Sequence, residues 1–132
     1  NLKGKLQNTI YAPYTTNIDR TAGTLEVVVP PFVPGNMIAA PSGATHFKIE
    51  TAGAEIDFEN ETYVMDAKES AVLPINNSAT SAITLSNAVT ANSTHPLFLV
   101  MGMEFYQEVN GQMYPLKNGA FNALTIVNVS GM

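Results

Sequence analysis

The sequence predicts an all-β protein, an antiparallel two-sheet β-sandwich, and three features of the chain carry this prediction. Short runs rich in β-branched and aromatic residues recur along all 132 residues, separated by turns that use 9 Gly and 8 Pro. Residues 97–109 and 112–116 are two such runs joined by Asn110-Gly111, the strongest short sequence signal for a hairpin. No stretch shows the i, i+3, i+4 spacing of an amphipathic helix over a helix-length window.

The N-terminal part is divided into strands by its prolines. Residues 6–11 are predicted as the first strand, and Pro13 with a polar stretch ends it. Residues 24–29 are predicted as the second strand, which stops at a proline pair because proline cannot donate to a ladder. Residues 32–43, with further Pro and Gly, are predicted as a long loop.

The central part alternates apolar and polar residues in two runs, 45–51 and 55–59. Ala52-Gly53-Ala54 between them is predicted as a turn, and Asn60-Glu61 as the next turn. The remaining predicted strands are 62–65, 70–75, 82–88, 97–109, 112–116 and 123–129, with one helical turn at most at 67–70. The period of two predicts a core that includes Phe47, Ile49, Ile56, Phe58, Leu99, Met101, Phe105, Leu124 and Ile126.

About ten short strands in a chain of this length favour one domain, residues 1–132, because such a chain buries roughly two-thirds of its unfolded surface. In architecture alone it resembles immunoglobulin and fibronectin type III domains, and with no Cys and no Trp it lacks the antibody-domain signature. The opening Asn1-Leu2-Lys3-Gly4 indicates either a mature product or a fragment of a longer chain.

Composition narrows the class of protein. Only 13% of residues are charged, the net charge is −5, and a surface of Thr, Ser, Asn and Gln is typical of exported and self-assembling β proteins. The 6 basic residues are scattered, which argues against nucleic-acid binding. No apolar run is long enough for a transmembrane helix, and the absence of cysteine excludes disulfides and thiolate metal sites. We expect an extracellular, cell-surface or virion location.

Candidate chemistry is sparse, and we predict no catalytic residues, no cofactor and no metal. Seven of the 11 acidic residues lie between Glu50 and Glu69. Glu55, Asp57, Glu59 and Glu61 recur at every second position, which in a strand gives one solvated face with carboxylates too far apart to gather one Ca²⁺. A calcium site and a contact with a neighbouring subunit are the alternatives. His46 and His95 are expected at polar strand edges.

The terminal segments are the candidates for assembly. The C-terminal run is apolar on both faces, so both faces need cover, either from its own sandwich or from another chain by strand addition. The candidate assembly contacts are Leu2, Leu6, Ile10, Leu124, Ile126, Val127 and Val129. Tyr106 and Tyr114 flank the predicted hairpin turn and are interpreted as a cross-strand pair, with stacking on a ligand as the alternative.

These observations predict a non-enzymatic structural or interaction protein. It would be a subunit or domain of an extracellular surface fibre, appendage or virion-like assembly, a homo-oligomer or polymer that associates through its terminal strands. The alternative is a carbohydrate-binding module that recognises a glycan, and a protein partner is also compatible with the sequence. A hydrolase with a dispersed site is the remaining alternative, which no motif supports.

Overall fold

A computed structural model describes residue 10, residues 12–116 and residues 123–131 of the protein. The strands are β1 (Thr15–Asp19), β2 (Thr24–Val29), β3 (His46–Asp57), β4 (Thr62–Glu69), β5 (Leu73–Pro74), β6 (Ile83–Ala88), β7 (Leu97–Val109), β8 (Gln112–Pro115) and β9 (Ala123–Ser130). One short helix, α1 (Pro34–Met37), lies between β2 and β3. Within the described ranges, no helix has the length and apolar character to cross a membrane.

The strands form two antiparallel sheets, so the predicted all-β class is confirmed. The small sheet has the order β1-β2-β6. In the large sheet, β3 and β7 are central and paired along most of their length. The far edge of β3 pairs with β4 and β5, and the far edge of β7 pairs with β8 and β9. The large sheet is therefore four strands wide.

The hydrophobic core lies between the two sheets. Alternate residues of β2, β3 and β7 are buried, as a period of two requires when one face of each sheet is covered. The fully buried apolar side chains are Leu25, Val27, Val29, Phe47, Ile49, Leu97, Leu99, Met101, Met103 and Phe105. A Cβ at Gly53 would lie 2.9 Å from Cβ of Asn87, so glycine allows the sheets to approach closely.

A buried polar network joins the two sheets on the β4–β6 side. The Asn87 side chain accepts a hydrogen bond from Oγ1 of Thr51 and donates one to the carbonyl oxygen of Asp66, both at 2.8 Å. The Asp66 carboxylate accepts from the Ala88 backbone N–H at 2.9 Å. Because Asn87 is fully buried, these bonds fix where β6 lies against β4.

Arg20 joins three segments on the other side of the molecule. Its Nη1 donates to the carbonyl oxygens of Ser93 at 2.8 Å and His95 at 2.7 Å. Its Nη2 donates to the carbonyl oxygen and to Oγ of Ser130, each at 2.9 Å. The guanidinium fork thus holds the end of β9 against the segment that precedes β7.

The predicted turn at Ala52-Gly53-Ala54 is wrong, because β3 runs without interruption to Asp57. The alternation of the pleat therefore continues, which puts Glu55 on the core side and Ile56 on the opposite face. Phe58, predicted in the core, lies in the β3–β4 turn and is 66% exposed. Three small residues are compatible with a turn and with a strand, and only the neighbouring strands decide between them.

Several other boundaries differ from the sequence prediction. β1 occupies the stretch predicted as polar connection, and β4 continues through the residues considered for a helical turn. Of the predicted N-terminal strand, the structure describes only Ile10, which is buried and bridges to Ile38. The predicted core positions Phe47, Ile49, Leu99, Met101 and Phe105 are confirmed as buried, while the Leu124 side chain lies outside what the structure describes.

The predicted Asn110-Gly111 hairpin is confirmed. Val109 pairs with Gln112, so a two-residue loop joins β7 to β8. Asn110 has φ 53° and Gly111 has φ 81°, the positive values that a type I′ turn requires at both positions.

Candidate functional site

The large sheet has one face on the core and one directed away from it, which we call the outer face. Residues that are partners in register point to the same face, so the outer face is composed of even positions of β3 and β7 and odd positions of β4. On β9, Val129 opposite Phe98 and Ile126 opposite Val100 belong to it as well. The outer face thus crosses four strands, and its composition divides it into two halves.

The apolar half of the outer face lies toward the β3–β4 turn. Its strand positions are Tyr63, Met65, Ala67, Ile56, Ala54, Ala52, Phe98, Val100, Ile126 and Val129, none of them charged, with Phe58 at the rim. Tyr63 is 70% exposed, Met65 60%, Ile126 56% and Val129 51%. Soluble monomers rarely expose a contiguous apolar patch of more than a few hundred Å², so this half is a candidate contact surface.

Small side chains lie between the rim of the apolar half and the charged half. Ala52 on β3 lies opposite Ala67 on β4, and Ala54 lies opposite Met65. Beside them, a groove of about 390 Å³ is lined by Ala54, Ile56, Asp57, Phe58, Glu61, Thr62, Tyr63 and Met65. The groove is open and mainly apolar, which suits contact with a surface rather than enclosure of a small substrate.

The charged half of the outer face is organised around Lys48. Its ammonium lies 2.6 Å from a carboxylate oxygen of Glu69 and 3.5 Å from one of Glu104. The Tyr106 hydroxyl donates to Glu104 at 2.7 Å. The hydrogen bond with Glu69 is the main reason why the pKa of Lys48 is raised. Burial, followed by the charge of Glu104, raises the pKa of Glu50.

Glu55 is the centre of a buried polar cluster on the core side of β3. Its carboxylate accepts hydrogen bonds from the Thr90 backbone N–H at 3.0 Å and from Oγ of Ser93 at 2.7 Å. Oγ of Ser93 also accepts from the His95 backbone N–H at 3.1 Å. Burial acts to raise the pKa of Glu55, but the hydrogen bonds from Ser93 and Thr90 together outweigh it and lower the pKa. The cluster anchors the segment before β7 to β3.

The cluster brings a serine, a histidine and two carboxylates together without the arrangement of a catalytic triad. Oγ of Ser93 donates its proton to Glu55, and Nε2 of His95 lies 3.6 Å from the Asp57 carboxylate instead. In a triad, the histidine ring accepts the proton of the serine hydroxyl. Among the described residues, no three His, Asp or Glu side chains are placed to hold one metal ion.

The predicted single face of solvated carboxylates does not form. Glu55 is buried, whereas Asp57 accepts two hydrogen bonds from Asn60 within the β3–β4 turn. These two bonds, from the side chain first, lower the pKa of Asp57. The spacing of two holds only inside one strand, and β3 ends at Asp57, so Glu59 and Glu61 belong to the turn instead.

A bulge distributes the assembly candidates of β9 between two environments. Leu99 pairs with Asn128 and Val100 with Ile126, which leaves Val127 without a partner in register. Val127 is half-buried and packs against the core, whereas Ile126 is exposed on the outer face. The prediction of Ile126 as a core residue is therefore wrong. One apolar face of this strand is covered by its own core, and the other is not.

The remaining candidates are only partly within the described residues. Ile10 is buried against this chain's own core, and Leu2 and Leu6 lie outside the described residues. The predicted Tyr106–Tyr114 pair is wrong, because Tyr106 pairs with Pro115 and Tyr114 with Gln107, which puts the two rings on opposite faces. Ligand stacking by either tyrosine stays a prediction.

Tyr63 and Met65 belong to the candidate surface, although neither was predicted from the sequence as a contact residue. The available signal was Tyr63-Val64-Met65, which is apolar at both parities within a strand. The same property drew attention to the C-terminal strand. Apolar residues at both parities thus occur in β4 and in β9, the two strands at the sides of the outer face.

Comparison with known proteins finds no matching family model and no matching curated protein. A structure from work on pH-induced modulation of Streptococcus parasanguinis adhesion by Fap1 fimbriae is 13% identical with a TM-score of 0.40, covering 98% of this chain and 84% of that one. A glycosyl hydrolase family 2 member from Bacteroides cellulosilyticus is 16% identical with a TM-score of 0.34, covering 83% of this chain and 13% of that one. The human F-spondin reeler domain is 12% identical with a TM-score of 0.30, covering 90% of each chain.

Proposed function

We propose that this protein is a non-enzymatic structural or interaction domain of an extracellular surface fibre, appendage or virion-like assembly, with a β-sandwich fold. Its contacts are made by the apolar half of the outer face. The observation that carries the proposal is the exposure of Tyr63, Met65, Ile126 and Val129 on one sheet face. Two antiparallel sheets around one core support the sandwich architecture.

The energetic reason is the cost of leaving large apolar side chains in water. Burying a Val, Ile or Met side chain fully is worth about 1.5–3 kcal/mol, and an aromatic ring buries roughly 150–250 Å². Tyr63 and Phe58 are each more than half exposed, and both line the same groove. A partner that covers this half recovers much of that free energy.

The contact we propose is made by a sheet face rather than by a donated strand. β9 already pairs with β7 within the chain, from Ser130 opposite Leu97 at one end to Ala123 opposite Met103 at the other. The Asn128 side chain also donates to Oγ1 of Thr16 at 3.0 Å, which links β9 to β1 of the small sheet. These contacts favour a role for the exposed side chains Ile126 and Val129.

Methionine oxidation tests the proposal in the setting where the protein works. Met65 lies in the apolar half, and Met113 in β8 is an exposed internal control outside it. In the surface fraction of cells that make the full protein, peroxide is expected to oxidise Met65 at least about fivefold more slowly than in the dilute isolated chain. Met113 is expected to be unchanged. Equal Met65 rates in both settings would contradict the proposal.

A glycan-recognition module is the second candidate, because two exposed aromatic rings, Phe58 and Tyr63, line one groove together with the carboxylates Asp57 and Glu61. Sugar rings stack on aromatic faces, and carboxylates accept hydrogen bonds from hydroxyl groups. A glycan array tests this candidate. Binding that Tyr63→Ala removes and Tyr114→Ala leaves unchanged would support it, and an array without signal would reject it.

A further inference from the structure

We infer that the occupant of the apolar half is a second copy of this chain, packed face to face about a twofold axis that runs across the strands. The inference rests on the proposed function, since it names the partner of the same surface. Three properties of the outer face lead to it: the distribution of charge, the distribution of side-chain size along the strands, and the exposed area.

Among the strand positions of the outer face, the charged ones are confined to one end, and the carboxylates Asp57 and Glu61 border the groove at the β3–β4 turn beyond the other end. The charged half presents three carboxylates, Glu50, Glu69 and Glu104, against the single ammonium of Lys48. Two copies that overlap through their apolar halves, with strand directions reversed, carry these acidic groups away from each other at opposite ends of the pair. A cationic partner would be drawn to the charged half instead. The strand positions of the apolar half carry no charge, so another apolar sheet face matches them best, and a second copy provides one.

Side-chain size changes in the same direction along neighbouring strands of the outer face. β4 runs from Tyr63 at the rim to Ala67, and β3 from Ile56 at the rim to Ala52. A twofold axis across the strands reverses this direction in the second copy, which brings large side chains over small ones. Packed sheets lie roughly 10 Å apart, and interdigitation of large with small residues fills that space.

The exposed area is sufficient for a weak dimer. Five large apolar side chains of this half and its rim, Phe58, Tyr63, Met65, Ile126 and Val129, are each more than half exposed. They amount to roughly 500–600 Å² per copy, or about 1,000–1,200 Å² for the pair. This is the lower end of the range for specific interfaces, so the dimer is expected to form reversibly as concentration rises.

Sedimentation velocity of the purified chain between about 1 µM and about 1 mM tests the inference. The weight-average mass is expected to rise from one chain to two across this range. Met65→Lys and Ile126→Lys are expected to weaken dimerisation at least about tenfold, because each puts a charge into the apolar half. Val109→Lys is the matched control, since Val109 is also exposed but lies at the hairpin end of β7 with core-side parity.

Thermal denaturation of each variant at micromolar concentration identifies any variant that weakens the fold itself. If Ile126→Lys or Met65→Lys does so, the other variant carries the test. A wild-type chain that stays monomeric throughout, or a dimer that both variants leave intact, would overturn the inference. A monomer combined with Met65 protection in the cell-surface experiment would refute the second copy and leave the proposed function standing with another partner. Equal Met65 oxidation rates at the cell surface and in the isolated chain would refute the proposed function, whatever the sedimentation result.

Discussion

Replacing Arg20 by methionine tests whether one side chain holds the C-terminal strand in place. The guanidinium group makes four hydrogen bonds of 2.7–2.9 Å to the segments around Ser93–His95 and Ser130, which are 73 to 110 residues away in sequence. Methionine keeps much of the length of the side chain and removes every donor. Three carbonyl oxygens in part-buried positions then lose their partner.

The expected loss of stability is about 2–4 kcal/mol. A hydrogen bond to a charged group contributes roughly 1.5–3 kcal/mol, but the four bonds share one group, and removing the charge also removes the cost of desolvating it. For a domain of this length, a loss of about 3 kcal/mol lowers Tm by roughly 10 °C. Arg20→Lys is expected to fall between wild type and Arg20→Met, because a single ammonium cannot span both groups of acceptors.

Urea denaturation provides the free energy of unfolding, and hydrogen exchange shows where the protein opens. Amide protection is expected to fall first in β9, whose end Arg20 holds. Lys68→Met is the control, since the Lys68 side chain is about half exposed and its ion pair with Asp66 is worth at most about 1 kcal/mol. An Arg20→Met variant within about 0.5 kcal/mol of wild type, with unchanged exchange in β9, would show that Arg20 does not hold this strand.

Two further predictions concern the hairpin and the buried carboxylate. Gly111→Val is expected to cost about 1–3 kcal/mol of folding stability through backbone strain alone, because φ is 81° and a Cβ there would meet no atom within 4 Å. Asn110→Gly is the control and should be tolerated. An unchanged urea midpoint for Gly111→Val would argue against the strain. Because the pKa of Glu55 is lowered in the folded chain, the stabilisation from its carboxylate is complete above the ordinary pKa of 4.5 and is lost as pH falls through the folded pKa. Wild type should therefore lose stability below about pH 4.5 more steeply than Glu55→Gln. Parallel pH profiles of the two proteins would contradict this.

Local chemistry in the sequence was sufficient for part of this fold. Asn110-Gly111 predicted its turn because positive φ is a property of those two residues themselves. β2 has the predicted bounds, because a proline ends the ladder of hydrogen bonds whatever the tertiary contacts are. β7 has the predicted bounds as well. In each case the determining interaction lies within a few residues.

Tertiary structure decided which faces are covered. Glu55 lies on the core side because Thr90 and Ser93, 35 and 38 residues away, supply its hydrogen bonds. Gly53 continues the strand because β4 and β7 pair with it on both sides. A period of two shows that a strand has two faces, and the apolar residues on both faces of β9 showed that each face favours burial. The bulge at Val127 and the position of the small sheet determined that one face is covered and that Ile126 and Val129 stay exposed. That choice depends on contacts between distant segments, which alternation along a single strand does not encode.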